Sequence, residues 1–162
     1  MGPGPSLVLL HGESPRCAGR GIRFIRIECV ANPRDLSSVR SLLDLPAPAV
    51  LATQRKNGTV KLAPVWFRHH GEHFEVVITD DDVKLKHIKR HSIVTLLIFE
   101  ATPPFRGVQV MDEAEISREN LDETRQAITG RYLDQDSSKK FTERRRGNGA
   151  VVRSTRSILA SR

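Results

Sequence analysis

Cysteine is scarce in this chain. Its 162 residues hold two, Cys17 and Cys29. Neither has metal-ligand spacing, and no second Cys/His cluster partners them, which argues against a structural zinc site. A domain of this size builds a core without disulfide support, so the pair reads as free thiols in a reducing cytosol. Long apolar runs are missing too, and none approaches the roughly 18–20 residues of a membrane span. "SLVLL" (6–10) is too short for a signal sequence and no basic residue precedes it. These absences predict a soluble, cytoplasmic protein. Aromatic residues make up only 5% of the chain, with one Trp, one Tyr and six Phe. That is poor material for the stacking platforms of a single-strand binder.

Positive charge is plentiful, with a net +7, but it lies at the ends. Residues 1–34 carry +3 and residues 131–162 carry +6, whereas 35–130 carry −2. A fold that tracks a phosphate backbone spreads its cations over one face. Nucleic-acid binding is therefore the rival reading, with "KKFTERRR" (139–146) as a basic arm.

Residues 1–31 differ from the rest and read as an N-terminal extension, with alternation only in "IRFIRIECV". The domain proper is 32–162. Asp35 offers an N-cap to a helix carrying Leu36, Val39, Leu42 and Leu43, which Pro46 and Pro48 end. Strands follow at 48–56, 59–70, 73–79 and 92–99, the first two joined by the hairpin signal Asn57-Gly58. "SIVTLLIF" (92–99) is nearly continuous apolar sequence, as in a strand buried on both faces. "RGVQVMDEAEI" (106–116) alternates. Asn120 and Glu123 suggest a capping box for a helix through Tyr132. Residues 139–149 read as a mobile polar loop, and "GAVVRSTRSIL" (149–159) as a last strand. The fold class is mainly β with flanking helices, a barrel or sandwich of antiparallel strands.

One run stands out, "TDDDVKLKHIKRH" (79–91). A helix over 83–91 puts Lys86, Lys89 and Arg90 on its wet face. Lys84 instead shares a side with Ile88, in the first turn beside unpartnered backbone N–H groups. A helix N-terminus plus an ammonium is a ready phosphate site, and Thr79, ending the preceding strand, offers a hydroxyl. The three acids either point outward or pair with Lys86 and Lys89. In "LAPVWF", Pro64 cannot donate to a ladder and marks an edge or bulge. By spacing alone, an edge proline beside a core tryptophan is the simpler reading. His69, His70 and His73 cluster at a turn, where solvation is a simpler account than metal binding.

"VLATQRKNGTVKLAPVWFRHHGEHFEVVITDDDVKLKHIKRHSIVTLLIF" resembles the core of the pyridoxamine 5′-phosphate oxidase-like family, the flavin-binding split β-barrels. It is most similar to a branch of small actinobacterial proteins that use deazaflavin (coenzyme F420) or FMN. The resemblance covers about residues 35–130 and implies an antiparallel split β-barrel that forms a homodimer, with the cofactor at the subunit interface. Carried over by position, Lys84 is the phosphate lysine. Pro64, Val65 and Trp66 lie beside the ring system, and Thr79 and Lys86 near the phosphate or ribityl chain. His87 stands where the family often has Asn. The implied activity is hydride transfer between the (deaza)flavin, coenzyme F420 in preference to FMN, and a small organic substrate. A non-catalytic flavin- or heme-binding barrel is the alternative. No catalytic side chain and no metal ligand is assigned.

Overall fold

A computed structural model describes residues 36–154, apart from 71–72 and 104. The extension 1–31, its "IRFIRIECV" run, both cysteines and the Asp35 cap lie outside the described residues. The chain runs α1 (Leu36–Asp44), β1 (Ala49–Gln54), β2 (Val60–Val65), β3 (Arg68–His70) and β4 (His73–Ile78). It continues through α2 (Val83–Arg90), β5 (Ile93–Phe99), β6 (Gly107–Ser117), α3 (Leu121–Thr129), α4 (Gln135–Arg144) and β7 (Ala150–Ser154). The seven strands form one sheet in the order β2-β1-β5-β6-β7-β4-β3, every pair antiparallel. This sheet curls into the split barrel that the sequence implies.

The β1–β2 hairpin forms because Gly58 takes φ +83° and Asn57 Oδ1 accepts both the N–H and the hydroxyl of Thr59. Residues 59–70 do not make the single strand expected of them. The first half, β2, pairs with β1 at one edge, with Pro64 opposite Val50. At Trp66-Phe67 the chain leaves that edge, and β3 pairs with β4 in the other half. The Tyr132 hydroxyl fixes this corner: it accepts the Phe67 N–H at 3.2 Å and reaches the Ala47 and Phe67 carbonyls at 3.2 and 3.3 Å. β6 spans both halves. Residues up to Glu113 pair with β5, and residues from Ala114 pair with β7.

The core lies inside the curl, where alternate residues of facing strands meet: Leu51, Val76, Ile78, Val94, Leu96, Ile98, Val108, Val110 and Val152. β5 is not buried on both faces. Val94, Leu96 and Ile98 point inward, while Ile93 is 55% exposed. Its outer side belongs to an apolar sheet face: Leu62, Ala52, Thr95 and Met111 lie in one row across four strands, and Val60, Leu62 and Met111 are exposed.

Two helix expectations change. Asn120 precedes α3 in a left-handed conformation (φ 52°) and its side chain caps nothing. Residues 139–144 of the polar run are not loop but the second half of α4, opened by Asp134, whose carboxylate accepts the Ser137 N–H at 3.0 Å, and only 145–149 are turn. No apolar stripe holds α4 in place. Ser138, fully buried, meets Thr129 Oγ1 at 2.6 Å and accepts from Gln126 Nε2 at 2.9 Å. Among the described residues, no helix is long and apolar enough to cross a membrane.

Candidate functional site

The DDD run divides into three fates. Asp80 ties the end of β4 to the turn before β7: its carboxylate pairs with Arg118 at 2.5 Å and accepts the Gly149 N–H at 2.9 Å. Asp81 is exposed. Asp82 caps α2, its Oδ1 accepting the Lys84 N–H at 2.9 Å while Oδ2 pairs with Lys84 Nζ. The acids therefore do not pair with Lys86 and Lys89. Lys84, whose charge opposes the positive helix end, already has an anion beside it. Burial is the strongest influence on the Asp82 carboxyl and pushes its pKa up. The hydrogen bonds from Lys84 outweigh it, and the carboxyl is held below the ordinary aspartate value.

α2 buries Leu85, His87 and Ile88 against the barrel and leaves Lys86, Lys89 and Arg90 in solvent. Lys84 and Asp82 instead line a cavity of about 260 Å³. The β2 edge gives this cavity Pro64, Val65 and Trp66, and the end of β4 gives Val77, Ile78 and Thr79. α3 adds Arg125, Ile128 and Thr129, and α4 adds Phe141 and Arg145. Five of the seven sequence-predicted residues, Pro64, Val65, Trp66, Thr79 and Lys84, thus share one cavity.

Lys86 and His87 are placed elsewhere. Lys86 is solvent-exposed on the outer face of α2. His87 turns inward, 6% exposed, with Nδ1 3.0 Å from Thr53 Oγ1. Burial, then the charges of Arg55, Arg90 and Lys61, lowers its pKa from the ordinary histidine value. It serves as an interior polar contact with Thr53 on β1 and does not line the cavity.

The aromatic wall was less legible. Trp66 stacks on Tyr132, with ring centroids 5.0 Å apart and 7° between planes, and Phe141 lies against Trp66 at 5.7 Å. Arg145 covers the other side of Phe141, 5.1 Å from its centroid. Arg125 is buried and ties α3 to the 145–148 turn, donating to Asp122 at 2.7 Å and to the Arg145 carbonyl at 2.6 Å. The one signal for this wall in the sequence was Phe141, the sole aromatic in a polar run.

The three clustered histidines serve separate ends. His69 leans on Phe74, His73 Nδ1 lies 2.8 Å from the Ser154 carbonyl, and His70 is exposed. Among the described residues, no group of three His, Cys, Asp or Glu could hold a metal ion.

Known structures share this fold. One is an F420 reductase, 22% identical, covering 71% of this chain and 90% of its own, at a TM-score of 0.58. A conserved hypothetical protein from Mycobacterium tuberculosis is 20% identical over 83% of this chain and 87% of its own, TM-score 0.66. HutZ, the heme storage protein from Vibrio cholerae, is 11% identical over 73% and 87%, TM-score 0.59. At these identities the likeness is one of fold. No curated protein matches the chain. The family described as pyridoxamine 5′-phosphate oxidase matches residues 37–155, and the chain belongs to that family.

Proposed function

We propose that this protein binds a flavin-type cofactor, deazaflavin (coenzyme F420) in preference to FMN, and transfers hydride between it and a small organic substrate. The observation that carries the reading is the cavity that brings Pro64, Val65, Trp66, Thr79 and Lys84 together. An apolar and aromatic wall at one side and an ammonium at the other match a planar ring with an anionic tail. The residues fit such a group. Pro64, Val65 and Trp66 would flank its ring, and Thr79 and Lys84 would hold its phosphate. When bound, the cofactor supplies the hydride chemistry, and the protein supplies binding, orientation and exclusion of water. Trp66 is held flat by Tyr132 and Phe141, so the ring-facing wall is set before any ligand arrives.

The fold likeness to an F420 reductase supports deazaflavin, as does the exposed Arg145 at the cavity mouth, since the deazaflavin carries an oligoglutamate tail. Heme storage, the role of HutZ, is the weaker reading, because among the described residues no histidine lines the cavity. The nucleic-acid reading loses its free arm: residues 139–144 are helix, and Phe141 packs on Trp66. The apolar outer face through Leu62 and Met111 supports a homodimer.

The test is quenching of Trp66, the sole tryptophan, on titration with FMN and with coenzyme F420. Lys84→Ala should weaken binding roughly ten- to a hundredfold, the worth of one charge-assisted contact. Binding of neither cofactor, or binding indifferent to Lys84, would overturn the reading.

A further inference from the structure

The Asp82–Lys84 pair inside the cavity has a consequence for which anions can enter. Asp82 does two things at once: it caps α2 through the Lys84 N–H, and it pairs with the Lys84 ammonium. Both groups line the cavity, with side chains only 26% and 13% exposed. An anion seated at Lys84 therefore meets an ammonium, a helix N-terminus and a carboxylate together. Formal charge of the Asp82–Lys84 pair is close to zero, with the partial positive charge of the helix end beside it. Of the cavity's other cations, Arg125 is paired with Asp122 and Arg145 lies across from the pair on α4's end.

A near-neutral pole discriminates by ligand charge. Stripping water from an anion costs more the higher its charge, rising as the square of that charge in a simple dielectric picture. Attraction to the site rises only linearly with ligand charge. With a bare lysine, the gain in attraction favours a dianion. With Asp82 in place, the dianion suffers the larger desolvation and twice the repulsion. We infer that Asp82 is a specificity determinant, making this cavity selective for a singly charged phosphodiester over a doubly charged phosphate monoester. The inference rests on the proposed cofactor site and narrows the ligand to a charge class. Asp80 and Asp81 do not share the role, since neither lines the cavity and Asp80 is committed to Arg118 and Gly149.

Asp82→Asn separates this role from capping, because Asn caps a helix as well as Asp does. Three flavins that share one ring would be titrated at pH 8 into wild type and variant: riboflavin, riboflavin cyclic phosphate and FMN, carrying no, one and two charges. Wild type should prefer the cyclic phosphate to FMN. Asp82→Asn should gain about tenfold for the cyclic phosphate and about a hundredfold for FMN, because the removed repulsion scales with ligand charge. Riboflavin affinity should stay within about twofold, which would show that the cap and the cavity are kept. Equal gains for both phosphates, or a loss for both, would overturn the inference and make Asp82 a positioning residue for Lys84. Should no flavin bind either protein, the cofactor reading falls, and the inference is decided by backbone amide shifts of α2. There inorganic phosphate must gain more than dimethyl phosphate in the variant, and an equal response overturns it.

Discussion

Replacing Glu75 with Gln tests the polar cluster beneath the barrel corner. Glu75 sits on β4 at 1% exposure, between two arginines. Arg68 Nε donates to Oε2 at 2.5 Å from β3, and Arg153 approaches Oε1 from β7, with Nε at 2.8 Å and Nη2 at 2.6 Å. Arg68 also reaches Thr124 on α3 at 3.2 Å, so the cluster joins the corner strand, the barrel and the helix that walls the cavity. Breaking a buried ion pair by removing one partner costs about 3–5 kcal/mol. Here the cost is smaller, because Arg153 is 40% exposed and recovers water. Arg68, at 17%, carries most of the loss, and about 2–3 kcal/mol is expected near neutral pH.

The acid limb gives the sign. Burial is the largest influence on the Glu75 carboxyl and raises its pKa, but the hydrogen bonds and charges of Arg68 and Arg153 prevail and hold it below the ordinary glutamate value. A depressed folded pKa means stability that is present above the unfolded value and lost as pH falls through the folded one. Wild type should therefore lose stability below about pH 4.5, and Glu75→Gln should lose less over the same range. Urea unfolding followed by Trp66 fluorescence at pH 7 and at pH 3.5 reads both quantities. A variant within 0.5 kcal/mol of wild type at pH 7, or one with the same acid slope, would refute the reasoning.

Three further perturbations follow from single contacts. Gly149→Ala places a Cβ 2.4 Å from the Ile78 carbonyl oxygen at φ +124°, so it should destabilise by about 2–4 kcal/mol in urea. Tyr132→Phe removes the hydroxyl that fixes Phe67 and Ala47; about 1–2 kcal/mol of stability should go, with a shift in Trp66 emission because the stacked pair loosens. Thr53→Val leaves His87 Nδ1 buried without its partner, which should cost about 1–3 kcal/mol by thermal unfolding while leaving FMN or F420 titration unchanged, since His87 lies outside the cavity.

Much of this protein was legible from local pattern. The alternation of "RGVQVMDEAEI", the apolar run of β5, the Asn57-Gly58 turn and the helical spacing through 83–91 marked the elements and their types, because side-chain periodicity reports which face is buried. The first-turn position of Lys84 pointed to an anion site, whereas Pro64 read by spacing only as an edge or bulge, and the family resemblance put it beside the ring. What local pattern could not supply was partnership. The break at Trp66-Phe67 looks like continuous strand, since the group that stops it, the Tyr132 hydroxyl, lies 65 residues away. α4 has no apolar stripe to announce it, because it is held by the buried Ser138 hydroxyl and by a single aromatic, Phe141 on Trp66. His87 reads like a ligand until Thr53, 34 residues earlier, is seen to take it. Asp82 could pair with several lysines by spacing, and only the capped geometry of α2 gives it to Lys84. Local sequence settled β1, β4, β5 and β6, the helix at the site and the charge at its first turn, all set by short-range sterics and periodicity. The tertiary structure alone decided which distant hydroxyls, rings and carboxylates meet that charge, because hydrogen-bond and ion-pair partners are chosen by the closure of the barrel and not by neighbours in the chain.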